Sequence, residues 1–257
     1  MRPLWTGAIG FGLVNIPVKL YSAIQSSNLD LDMLDKKDNA HIKFKRVNEN
    51  TGKEVAWGNI VKGYMIKDKY VVLDDKDFEQ ANAKKSQLIE ISEFVDEGEI
   101  DTLLFEMPYY LGPAKGGEKA YGLLRAALEK SGKVGVATFV LRNKEHLCIL
   151  KAGSDIIQLV RLRFGEEIRT TEELAPKAAA LKPAELKMAI SLIDQLSGKF
   201  DVAKYKDTYS EELMKVIKSK AKGVKPQEHA IKIVNSKSKD LMAQLKASLE
   251  TKVKKAS

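Results

Sequence analysis

Apolar residues fall on alternate positions along the first twenty residues, and the alternation changes phase once. Trp5, Ile9, Phe11 and Leu13 stand at odd positions, whereas Val14, Ile16, Val18 and Leu20 stand at even ones. Alternation at period two predicts β-structure with one covered face, and the phase change predicts a bulge or sharp bend at Leu13 and Val14. Gly7, Gly10 and Gly12 allow close approach of backbone, and Pro17 predicts an edge or a break in the ladder. Such features suit a curved sheet that closes. Further along, "GYMIKDKYVVL" supplies two short strands, followed by a helix start at the acidic cluster Asp74, Asp75, Asp77 and Glu79. "KSQLIEISEFV", "LLFEMPYYLGP", "VGVATFVL", "HLCILKAG" and "DIIQLVRLRF" add five extended segments, the later ones in the pattern of antiparallel hairpins.

Two stretches depart from this alternation before residue 165. Asp35 to Val61 is polar, with short alternating pieces on both sides of "NENTGKE", and predicts a long hairpin projecting from the core. Glu118 to Ser131 places Tyr121, Leu124 and Leu128 on one helical face and stops at Gly132. Many short strands with turn signals and a single internal helix make the chain up to Phe164 a barrel or a sandwich. Beyond Gly165 the period becomes helical. Pro183 opens a segment whose Leu186, Ile190 and Ile193 form a stripe ending at Gly198. Thr208 and Glu211 make a capping-box pattern before a helix that ends at Gly223. Ile231, Val234, Leu241, Leu245 and Leu249 then recur at helical spacing between lysines.

Composition narrows the chemistry. The 257 residues, 44% of them hydrophobic, can furnish a real core, and Cys148 is the only cysteine, which makes a reducing cytoplasm the default. His41, His146 and His229 are too scattered for a zinc knuckle. The uncharged run from Pro3 to Val18 holds Thr6, Asn15, Pro17 and three glycines, and it is shorter than the roughly 20 apolar residues that span a bilayer, so neither an export signal nor a membrane segment is expected. Net charge is +8, and eleven lysines against three carboxylates from Lys218 to Ser257 account for it, leaving 32 basic and 32 acidic residues before them. A lysine-rich end is either a solvated helix face or an electrostatic arm for a polyphosphate.

A search for catalysis finds none. "GPAKGGEKAYG" looks like a nucleotide loop, but the Walker spacing from Gly112 lands on Gly117, Glu118 and Lys119 instead of Gly-Lys-Ser/Thr. A tight loop entering the helix at Glu118, with or without Lys115 and Lys119 meeting an anion, is the reading left. The chain contains no Gly-x-Ser-x-Gly elbow, His-Glu-x-x-His zincin pair or Lys-x-Asp-Gly adenylation signature. The acidic cluster reads as a turn and helix start before it reads as a magnesium site, and His146 with Cys148 reads as a half-buried pair on one strand face. No catalytic residue, metal site or cofactor is expected.

The opening "WTGAIGFGLVNIPVKLYSA" resembles the amino terminus of the bacterial Ku family, DNA-end-binding proteins of non-homologous end joining. "FKRV" at 44–47, "IVKGY" at 60–64, "YYLGPAKGGEKAYGLLRAAL" at 109–128 and "YKDTYSEELMKVIKSKAKG" at 205–223 agree with it in order. The resemblance implies a mixed β plus α fold: a Ku-type β-barrel core over 1–198 with a bridge hairpin around 35–61 and helices around 118–131 and 183–197, then a helical carboxy-terminal module at 199–223 and a basic extension at 224–257. It also implies a homodimeric ring around double-stranded DNA ends, no enzymatic activity, recruitment of the ATP-dependent ligase D, and a cytoplasmic, nucleoid-associated location. Many bacterial relatives follow the Arg-Val pair with Cys-x-x-Cys-Gly, whereas this chain reads Asn48, Glu49, Asn50, Thr51 and Gly52, so no metal is expected at that hairpin.

A ring that accepts any broken end must contact sugar and phosphate and not base edges. Candidate DNA-facing cations are Lys43, Lys45, Arg46 and Lys53 on the bridge, Lys115, Lys119 and Arg125 around the glycine loop, and Arg142 with Lys144 in a hairpin turn. Tyr205, Tyr209, Leu213 and Ile217 are either partner-binding anchors or residues that pack their helix on its own core. The competing function is a general nucleic-acid-coating protein driven by the basic tail.

Overall fold

The computed structural model describes residues 1–82, 87–142, 144–172, 174 and 181–224, and the chain forms two compact units, Met1–Thr170 and Thr171–Ser257. The first unit contains β1 (Trp5–Phe11), β2 (Val14–Ser22), β3 (Lys62–Ile66), β4 (Lys69–Leu73), α1 (Asp75–Asn82), β5 (Leu88–Asp96), β6 (Phe105–Pro113), α2 (Glu118–Ser131), β7 (Lys133–Leu141), β8 (Lys144–Ala152) and β9 (Ile157–Leu162). Seven of these strands close into a barrel in the order β1-β2-β6-β9-β8-β7-β5. Every neighbouring pair is antiparallel except the closing one, where Ala8, Ile9 and Gly10 run parallel to Leu88, Ile89 and Glu90. Closure removes the exposed edges that an open sheet would offer to other chains.

Alternation fills the interior. Ile9, Ile16, Val18, Leu20, Leu111, Phe139, Cys148, Leu150 and Leu159 are withdrawn from water into one cluster. Each large aliphatic among them contributes about 1.5–3 kcal/mol relative to exposure. Burial pushes the Cys148 thiol far up in pKa, so it stays a neutral packing residue that donates to Ala137 O. Ile149 and Leu162 point the other way and pack with Val134 in a smaller outer cluster beside Ile100, Leu104 and Phe105.

The change of phase at Leu13 is a hairpin and not a bend. Phe11 pairs with Val14 across a two-residue turn, with Gly12 at φ 58° and Leu13 fully exposed. A turn of two residues reverses the chain and moves the inward positions from odd to even, which produces the observed shift. Gly12 supplies the left-handed backbone that such a turn requires. At Gly7 the constraint is space: a Cβ there would collide with the Trp5 ring and the Gln87 carbonyl. Pro17 lies inside β2, an interior strand of the barrel, opposite Ala8. It is tolerated because the β2–β6 ladder begins only at Val18 with Pro113, and the Pro17 carbonyl accepts the Ala114 N–H at 2.8 Å.

Between β2 and β5 the chain leaves the barrel. Residues 35–61 form no regular ladder: single bridges join Leu34 to His41 and Val47 to Glu54, and a 3-10 turn spans Trp57–Asn59. The second bridge is closed by Asn48, whose side-chain oxygen accepts from Asn50 N, Thr51 N and Thr51 Oγ1. This carboxamide orders the tip where the resemblance places paired cysteines in many relatives. β3 and β4 form a separate hairpin through Lys67 and Asp68. Asp74 and Asp77 then cap α1 reciprocally, each carboxylate accepting the other's backbone N–H at 3.0 and 2.9 Å, so the acidic cluster is a helix start.

The second unit contains α3 (Pro183–Leu196) and α4 (Thr208–Ala221). Thr208 is not the cap of α4. Asp207 is, its carboxylate accepting Ser210 N at 3.1 Å while Thr208 is already helical. A charged acceptor one residue upstream outcompetes a hydroxyl for the free N–H groups of the first turn. The basic extension beyond Val224, with Ile231, Val234, Leu241, Leu245 and Leu249, lies outside the described residues.

Candidate nucleic-acid interface

The two ends of the barrel differ. One is plugged by α2, which inserts Tyr121, Leu124 and Leu128 into the main core. The Tyr121 hydroxyl donates to Leu111 O at 2.5 Å and accepts from Ile157 N at 2.7 Å, bridging the residues that pair at the end of the β6–β9 ladder. Burial raises the Tyr121 pKa, so the phenol stays protonated and the bridge intact into the alkaline range. Lys115 and Lys119 are exposed around the loop that enters α2. Arg125, nearly two turns further on, is half-buried, and its guanidinium donates to Gly153 O and Ser154 O at 3.1 and 2.9 Å and pairs with Glu129 at 3.4 Å. Its geometry is that of a clamp holding α2 against the β8–β9 turn.

The other end is an open mouth of about 480 Å³ lined by Leu4, Ser22, Met107, Tyr109, Leu141, Arg142, Lys144, His146 and Arg161. A bulge in β6 leaves Glu106 without a ladder partner and turns its carboxylate onto Arg161, which it meets in a two-pronged hydrogen bond. The hydrogen bond from Arg161 holds the Glu106 carboxyl below its usual range, and the same bond raises Arg161. Lys144 pairs with Glu167 at 3.3 Å. Burial first, then Arg161 and Lys144, push the His146 imidazole down, so it is neutral at physiological pH. Arg142 occupies the turn between β7 and β8 at φ 52°, a left-handed conformation that costs a side-chain-bearing residue about 1–2 kcal/mol.

The bridge cations are all exposed. Lys45 pairs with Glu54 at 2.7 Å, and Arg46 lies over the Trp57 ring at 4.3 Å from its centroid. Lys43 and Lys53 make no ion pair among the described residues. The structure therefore brings Arg142 and Lys144 together at the mouth, and Lys115 and Lys119 at the plugged end. Arg161 and Tyr109 were missed by sequence reasoning. The signal was present for Arg161, which shares the parity of the inward residues Ile157 and Leu159.

In the second unit Tyr205 and Tyr209 are largely exposed, and Tyr205 stacks on Phe200 with ring centroids 5.8 Å apart. Leu213 and Ile217 follow on α4 and are only partly covered. Among the described residues no group of three or more His, Cys, Asp or Glu side chains could hold a metal ion, and no helix is long and apolar enough to cross a membrane.

A family model described as the Ku70/Ku80 beta-barrel domain matches residues 10–188. The chain is 42% identical over 226 residues to the non-homologous end joining protein Ku of Cupriavidus necator, covering 85% of this chain and 67% of that protein. It is 41% identical over 235 residues to the protein of the same name from Pseudomonas aeruginosa, covering 90% and 80% of the two chains. Against that from Archaeoglobus fulgidus it is 38% identical over 253 residues, covering 97% and 99%.

Proposed function

Because the chain belongs to the Ku family, we propose that it binds the ends of double-stranded DNA without sequence preference, as a homodimeric ring acting in non-homologous end joining at the nucleoid. The observation that carries this reading is the match over most of its length to proteins named for end joining. It acts by binding and not by catalysis, holding breaks and recruiting or stimulating an ATP-dependent ligase of the ligase D type.

The physical requirements of a ring agree with the first unit. No side chain from Ile24 to Phe78 is buried, yet this stretch carries Phe44, Trp57, Val61, Tyr64, Tyr70 and Val72, each more than half exposed. Apolar surface on that scale is characteristic of an interface. A second copy of the chain covers it, since closed two-fold symmetry lets one self-complementary patch serve both partners. The bridge cations Lys43, Lys45, Arg46 and Lys53, with Lys115 and Lys119, meet sugar and phosphate; Arg142 and Lys144 are further candidates, and Arg125 holds α2 against the β8–β9 turn. The core is 1–198, the module at 199–223 presents Tyr205, Tyr209, Leu213 and Ile217 to the ligase, and the extension at 224–257 adds salt-sensitive affinity.

The test is competition between linear duplex and covalently closed circles of the same sequence. Linear DNA is expected to compete and circles to fail; equal competition by both removes the threaded ring. Deleting residues 224–257 is expected to leave end binding in place, whereas a coating protein driven by its tail loses nearly all affinity.

A further inference from the structure

The barrel mouth has features that neither barrel closure nor duplex threading requires. Its walls are Met107, Tyr109 and Leu141, and its cations are Arg142, Lys144 and Arg161. Arg161 is engaged by Glu106 and Lys144 by Glu167, while Arg142 makes no ion pair or side-chain hydrogen bond among the described residues. Arg142 thus lines the mouth with a guanidinium that no ion pair engages among the described residues. Glu145, next to Lys144 on β8, also lies near and has interactions of its own.

Arg142 is also the residue held in the left-handed backbone of the β7–β8 turn. Asparagine or glycine adopts that conformation at lower cost, so an arginine there keeps a strained backbone at the edge of a cavity. Such strain persists where the side chain has a use. His146, two residues along β8 from Lys144, lines the mouth as a hydrogen-bonding group, and burial, Arg161 and Lys144 keep its imidazole neutral at physiological pH.

We propose that the open mouth of the barrel binds a compact phosphate-type oxyanion through Arg142, with Lys144 and His146 completing the grip. A volume of about 480 Å³ fits a group of a few phosphates and excludes a duplex. The same chemistry is offered by a free polyphosphate and by the terminal phosphate of a DNA end. The site is independent of the ring, because a free oxyanion satisfies it.

Calorimetric titration of the full chain with inorganic tripolyphosphate tests this, comparing wild type, Arg142→Asn and Lys130→Gln. Asparagine accepts the turn, so R142N is expected to fold with a Tm at or above that of wild type and to bind about tenfold more weakly. The Lys130 variant, altered on an exposed cation in the last turn of α2, is expected to bind as wild type does. No binding by wild type, equal binding by R142N, or an equal loss in K130Q each overturns the proposal. Hairpin duplexes with one blunt end, with and without a 5′-phosphate, separate the sources. A phosphate preference that R142N abolishes identifies the DNA terminus as the ligand. Tripolyphosphate binding that depends on Arg142, without any such preference, identifies a free anion. The linear-versus-circle competition reads the ring separately, so the two can fail independently.

Discussion

The barrel and the excursion that leaves it between β2 and β5 are built from residues of similar hydrophobicity put to opposite use. In the barrel, Ile16, Val18 and Leu20 alternate with solvent-facing neighbours and lose all contact with water. In the β3–β4 hairpin, Tyr64 and Val71 lie opposite each other, as do Met65 and Tyr70, and these two cross-strand pairs fall on opposite faces with all four residues exposed. A hairpin of two strands is marginal in water on its own. The contrast teaches that hydrophobic content does not identify a core; closure does.

Breaking the barrel gives the largest effect. Phe139→Ala empties the centre of the main core and is expected to cost about 3–5 kcal/mol in guanidinium melts. A loss below about 1 kcal/mol would show that the interior collapses around the gap. On the excursion the same chemistry has a different readout. Tyr64→Ser with Tyr70→Ser is expected to leave barrel stability within about 0.5 kcal/mol while converting a sedimenting dimer to monomer. A dimer that persists moves the interface elsewhere.

Tyr121→Phe sharpens the comparison at the plug, where it leaves Ile157 N–H without its partner and is expected to cost about 1–3 kcal/mol. Because the folded pKa of Tyr121 is raised above 10.0, the native state holds that proton more tightly than the unfolded chain. Stability is therefore lost as pH rises through 10 toward the folded value, and Y121F should flatten that alkaline slope. The smallest effect is at the mouth. His146 has a folded pKa below 6.5, so the unfolded chain binds more protons just beneath that pH and stability falls on acidification. With Glu106, Lys144 and Arg161 still facing the position, H146Q should remove only this acid sensitivity in melts run between pH 7 and pH 5.

The barrel strands were legible because a strand buried on one side must write period two into its sequence. The β1–β2 hairpin was written there too, but a phase shift has two causes, and only the positive φ of Gly12 and the Phe11–Val14 pairing separate a reversal from a bend. The parallel pairing of β1 with β5 was not legible, since the partners lie some eighty residues apart and nothing local records it. The pattern of the bridge reads as one long hairpin, but only isolated bridges join Leu34 to His41 and Val47 to Glu54 and most of its apolar residues are exposed, so no covered face imposes a regular period there. At the mouth, Arg142 and Lys144 stood out as turn cations, but Arg161 was hidden inside an apolar strand and became visible only beside Glu106.

The closing seam has a mechanical consequence. Among the described residues β1 and β5 share three registered pairs, the fewest of any neighbours in the barrel, and parallel pairs are slightly weaker per residue than antiparallel ones. The excursion departs from the end of β2 and rejoins the barrel at the start of β5, one of the two staves of that seam. Tension applied to the excursion therefore loads the barrel at its least tightly hooped joint, and under pulling that joint is the first to part.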